Sequence, residues 1–222
     1  MGELPKIQLS AEETELINNA EWFLAKHSII KKVYELFSHL QTVMQTEIIC
    51  YKYLFRENIE NQKGKITRGE SYLLLPYVVL DYPTFWKNDI LAIRTMFWWG
   101  NFFSVTLQLS GVEKEKFTAD PTIAFSYLQK NDFFICTNED AWQHHFEEDN
   151  YKGASTLSLT EFELILKNPF FKIAKKISVK EWKKTPDFVI KAFREILVFL
   201  TINYPIDKKD LSPEFPKAGS DL

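Results

Sequence analysis

From Ile90 to Leu109 the only polar side chains are Arg94, Thr95, Asn101, Ser104, Thr106 and Gln108. Twenty residues of this kind are about as many as a helix needs to cross a bilayer. An arginine near the centre costs roughly 2.5 kcal/mol or more in lipid, and the chain holds no second run of this length. The run therefore reads as a helix that is apolar on nearly every face, and such a helix belongs in a protein core. Asn88 or Asp89 would cap it and Gly111 would stop it, which gives a central helix over about 89–110.

The flanking sequence points the same way. No glycine falls between Gly2 and Gly64, and no proline between Pro5 and Pro76. Ser10 to Glu13 has the spacing of a capping box, and apolar residues then recur at helical intervals as far as Phe55. Two helices are expected, 10–26 and 28–57, broken near Lys26-His27-Ser28. Residues 58–71 read as a polar loop, and Tyr72 to Pro83 as an apolar, partly extended or kinked connector. Asp120-Pro121 opens a helix to about Lys130, and Phe133 to Thr137 admits a short strand. Ser158 to Glu161 and Ser178 to Glu181 repeat the capping-box spacing. Thr185 starts a last helix to about Tyr204, and the polar tail 205–222 is expected to be disordered. The reading is all-α: a single-domain helical bundle over 1–204 around the central apolar helix, with one short strand or extended segment at most.

With 45% hydrophobic and 26% charged residues in 222, the chain is long and apolar enough to bury a sizeable core. Its aromatic complement, with 19 Phe, could fill that core or cover a dimer face. Cys50 and Cys136 stand alone in sequence, and the N-terminus lacks the basic and apolar regions of a signal peptide, so the expected location is cytoplasmic. No membrane association is expected.

Candidate chemistry begins with Arg94, Asn101 and Gln108. Placed on a helix, these residues at intervals of seven lie within about 20° of one another. A guanidinium in an apolar core needs an acid, because an isolated buried charge is too costly. Glu47, on the apolar stripe of the second helix, and Asp81, after Tyr-Val-Val-Leu, are the two candidates. If Arg94 meets either in a cavity, an anionic or polar ligand could compete for it; the alternative is an internal salt bridge. Candidate ligand-binding residues are thus Arg94, Glu47, Asp81 and Asn101.

Other constellations are weaker. On a helix His144/Glu148 and His145/Asp149 have metal-ligand spacing, but adjacent residues point about 100° apart, so the pairs would not converge on one ion. Cys136 lies eight or nine residues before His144 and His145, and nothing in that spacing demands a Cys/His nucleophile. Lys167 to Arg194 carries nine Lys or Arg against Glu181 and Asp187, in a chain of net charge −3. Phe171 to Val179 resembles the first helix and turn of a helix-turn-helix, but only about Lys180 to Lys184 would remain for the recognition helix, too few for a major groove. The bias to lysine also argues against nucleic-acid readout. No G-x-G-x-x-G, Walker A or G-x-S-x-G motif is present.

The chain is therefore expected to be a non-enzymatic binder of a small polar or anionic ligand, or of a protein partner or second copy, without cofactor or metal. The alternatives are an enzyme of unknown class, with metal assistance through His144, His145 or Glu47, and a binder of acidic partners or nucleic acid through the 167–194 face.

Overall fold

The apolar run is two strands, not a helix. A computed structural model describes residues 7–55, 59, 62–85, 90–117 and 120–203. In it β3 (Leu91–Trp98) and β4 (Phe102–Ser110) form an antiparallel hairpin whose register places Trp98 opposite Phe102 and Arg94 opposite Thr106. Gly100 makes the turn at φ 73°, a left-handed conformation that glycine adopts without steric cost. Both faces of the hairpin are covered, so neither strand shows the polar alternation of a half-exposed sheet.

This hairpin is the middle of a seven-stranded, wholly antiparallel sheet in the order β1-β2-β3-β4-β7-β5-β6, and the all-α bundle is overturned. The expected polar loop 58–71 contains β1 (Lys65–Tyr72), and the connector is β2 (Leu75–Phe85). β5 (Phe134–Cys136) is the short strand placed at 133–137, and β6 (Tyr151–Gly153) pairs with it. The segment likened to a helix-turn-helix is β7 (Phe170–Ser178), so no recognition helix exists there. The proposed cap at Asn88 or Asp89 and the tail 205–222 lie outside the described residues.

The helices are α1 (Ala11–Asn18), α2 (Ala20–Ile48), α3 (Val112–Glu115), α4 (Pro121–Lys130), α5 (Leu159–Ile165) and α6 (Thr185–Asn203). Capping boxes close at Ser10/Glu13 and Ser158/Glu161, and Asp120 caps α4 through the Thr122 amide. Ser178 caps only a 3-10 turn, Val179–Lys184. The N-terminal helices part at Asn19, whose side chain accepts from the Trp22 amide, rather than near Lys26-His27-Ser28.

Alternation along the strands sorts the core into two layers. Val78, Leu80, Ile93, Phe97, Val105 and Ile173 face α2 and α6 in the main core. Asp81, Arg94, Thr106 and Lys172 point to the opposite face, which the segment 137–150 covers with Phe146. Val33, Phe37, Leu40, Met44 and Ile48 of α2 are buried against the sheet at intervals of three and four residues.

Candidate functional site

Arg94 and Asp81 are cross-strand partners on β3 and β2. Arg94 Nε donates to Asp81 Oδ1 at 2.7 Å and Nη2 to Oδ2 at 3.0 Å, the bidentate geometry that suits a planar guanidinium. The Arg94 side chain is 18% exposed and that of Asp81 8%, so the pair is largely desolvated. Arg94 Nη1 lies 3.3 Å from His144 Nε2. A guanidinium only donates, so Nε2 must carry the lone pair and the ring its proton on Nδ1. Burial first, then the nearby Lys172 and Arg94 charges, push the His144 pKa down to about 2.

The segment above the pair is fastened at several points. The Tyr72 hydroxyl accepts from the His144 and His145 amides at 2.7 and 2.9 Å. Lys172, buried on β7, donates from Nζ to the Ala141 and Gln143 carbonyls at 2.8 and 2.5 Å. Burial brings its pKa down to about 8. Phe146 stacks on Tyr151 at 4.5 Å and meets Phe102 and Phe134 edge-on. The row of charges thus clamps a covering segment onto the sheet.

Of the four candidate ligand residues, the structure brings Arg94 and Asp81 together and leaves the others elsewhere. Asn101 sits in the β3–β4 turn, where Nδ2 donates to the Trp99 carbonyl. Glu47 lies on the helical side of the sheet, bonded by Arg194 Nε and Nη2 at 3.0 and 2.5 Å, which lowers its pKa. Arg194 also borders a groove of about 310 Å³ between α2 and α6. His145 Nδ1 is 3.8 Å from Asp149 Oδ1, and no group of three His, Cys, Asp or Glu able to hold a metal occurs among the described residues. Cys136 is buried, its thiol donates to Asn150 Oδ1 at 3.5 Å, and burial raises its pKa, the reverse of an activated nucleophile. No described helix is long and apolar enough to cross a membrane.

A second feature, unread in the sequence, lies at one end of the sheet. Register brings Tyr72/Leu75, Tyr77, Trp98, Phe102 and Ser178 to that end, so the β1–β2, β3–β4 and β7–α6 connections all emerge there. Lys26 of α2 bonds Glu70 of β1 at 2.8 Å, which places the first turns of α2 beside the same end. Stepping back from Val33 one turn at a time reaches Ile30, Lys26 and then Trp22-Phe23, so the core stripe of α2 continues past the sheet. Trp22, Phe23 and Leu24 are exposed, and α1 buries no side chain although it carries Leu16 and Ile17.

The β1–β2 turn adds Leu73 and Leu74, at φ 46° and 65°. This is the backbone of a two-residue turn that favours Asn-Gly, and a left-handed leucine costs roughly 1–2 kcal/mol. Leu74 is 89% exposed. Both leucines thus combine a strained backbone with a side chain left in water. Across the same end, on the β7 side, Lys180 and Lys183 are exposed.

No protein-family model, curated protein or solved structure matches the chain.

Proposed function

We propose that the protein is a non-enzymatic binding protein whose working surface is the end of the sheet formed by the N-terminal helical arm and the β1–β2 tip. The observation that carries this reading is the set of large apolar side chains left in water there: Leu16 and Ile17 on α1, Trp22 and Phe23 at the start of α2, Leu73 and Leu74 on the tip. About half exposed or more, these six leave on the order of 700 Å² in water, comparable with what each partner contributes to a standard protein–protein interface. A monomer seldom leaves so many large apolar side chains in water at one end without a use for them.

The buried charges support the same choice between ligand and protein. Arg94 spends two guanidinium nitrogens on Asp81 and a third on His144, and Lys172 serves two carbonyls of the covering segment. A small anion would have to displace Asp81 from a bidentate, desolvated pair, at a cost of several kcal/mol.

Photo-crosslinking in the native cell tests the proposal. A crosslinking amino acid at Phe23 or Leu74 is expected to give a discrete adduct, and one at Thr46, exposed farther along α2, none. Adding Leu73→Asp to the Phe23-substituted chain should abolish the adduct. Equal labelling from all three positions, or no adduct from Phe23 and Leu74, would refute the assignment.

A further inference from the structure

Resting on that reading, we infer that the partner is a second copy of this chain, docked end to end about a two-fold axis. A two-fold interface uses the same surface twice, so it must be complementary to itself. The end of the sheet has this property. On the β1 side the start of α2 brings Glu21, and α1, joined to it through Asn19, adds Glu12, Glu13 and Glu15, with no basic residue between Lys6 and Lys26. On the β7 side the turn after Ser178 brings Lys180, Lys183 and Lys184. The apolar tip at Leu73-Leu74 belongs to the β1–β2 hairpin. From β1 to β7 are four strand spacings, about 19 Å.

A two-fold axis near the β3–β4 turn lays the acidic arm and the leucine tip of one protomer against the β7 side of the other, twice over. A rotation that leaves acid opposite acid would be repelled, so the charges select the orientation while the apolar side chains supply the area. Lys26 and Glu70 neutralise each other at the junction of arm and sheet, and Lys184 is held by Glu181, which leaves Lys180 and Lys183 as the basic side of the contact.

Analytical ultracentrifugation of the full chain, with circular dichroism as the control for folding, tests this directly. The wild-type chain is expected to sediment as a dimer of 26.2 kDa protomers, with a dissociation constant that rises with salt. Glu12→Lys/Glu15→Lys and Lys180→Glu/Lys183→Glu should each weaken self-association by about tenfold or more. Glu13 is left in place because it closes the α1 capping box. Mixed together, the two variants should form a heterodimer about as tight as wild type, because each arm then meets a turn of opposite charge. A wild-type chain that stays monomeric at 100 μM overturns the second copy, even if crosslinking finds a different protein on Phe23. A dimer insensitive to both charge reversals, or a mixture no tighter than its components, overturns the two-fold orientation.

Discussion

Arg94 reaches Asp81 through two parallel hydrogen bonds of 2.7 and 3.0 Å, directly across the β2–β3 ladder, on the face of the sheet away from α2 and α6. The pair lets the sheet carry a charge in its interior, and it gives His144 a donor to dock against. Removing one member strands the other. Asp81→Asn is expected to lower unfolding stability by about 3 kcal/mol, and Arg94→Met by a similar amount. The double variant Asp81→Asn/Arg94→Met should cost less than either single change, because no buried charge is left unpaired. Urea unfolding of the four proteins checks the cycle; additive losses would mean that the pair does not act as a unit.

His144 makes the covering segment acid-sensitive. An unfolded chain protonates this ring near pH 6.5, whereas the folded molecule holds it neutral down to about pH 2. Below pH 6.5 the unfolded state therefore binds the extra proton, and stability falls as pH falls, by about 1.4 kcal/mol per unit for this group. Above pH 6.5 the ring is neutral in both states and contributes no slope. His144→Gln keeps an acceptor for Arg94 and cannot titrate. Its stability relative to wild type should improve by about 2 kcal/mol between pH 6.5 and 5, measured by denaturant unfolding at each pH.

Much of the local chemistry could be read from the sequence, and the architecture could not. Ser10, Asp120 and Ser158 announce their helices because capping is local: a side chain meets an amide two or three residues away. The need of Arg94 for an acid was legible for the same kind of reason, the cost of a bare charge in an apolar run, and Asp81 was one of two candidates. Period failed in that run. β3 and β4 are buried on both faces, so alternation is erased, and the sevenfold spacing of Arg94, Asn101 and Gln108 mimics a helical seam. One signal was available: Gly100-Asn101, between two apolar runs, is a hairpin dipeptide. The β1–β2 turn left no such mark, because Leu73-Leu74 is the pair that turn chemistry least suggests.

Lys172 holds the same segment by a different bond. Lys172→Met keeps the apolar stem in place and withdraws both hydrogen bonds to the Ala141 and Gln143 carbonyls. Two part-buried acceptors then lose their donor, at about 1 kcal/mol each if the segment stays down. Opening the segment to water relieves that cost. Amide hydrogen exchange should therefore accelerate across 137–150 by about tenfold or more, while β3 and β4 keep their protection. Uniform acceleration across the sheet would show that Lys172 supports the whole fold rather than this cover.

The leucine tip sets stability against association. Leu73→Asn/Leu74→Gly gives the turn the residues its left-handed backbone favours, without altering the β1–β2 pairing that flanks it. Relief of strain should raise the unfolding free energy of the protomer by about 1–2 kcal/mol. The same change removes two apolar side chains from the proposed contact, so self-association should weaken by about tenfold or more. A turn selected only for folding would gain on the first measurement and lose nothing on the second. Thermal unfolding of the dilute chain and sedimentation of the concentrated one, made on the same preparation, separate the two. A protein that becomes more stable as a monomer while losing its dimer would identify the strain at Leu73 and Leu74 as the cost of holding an apolar contact out in water.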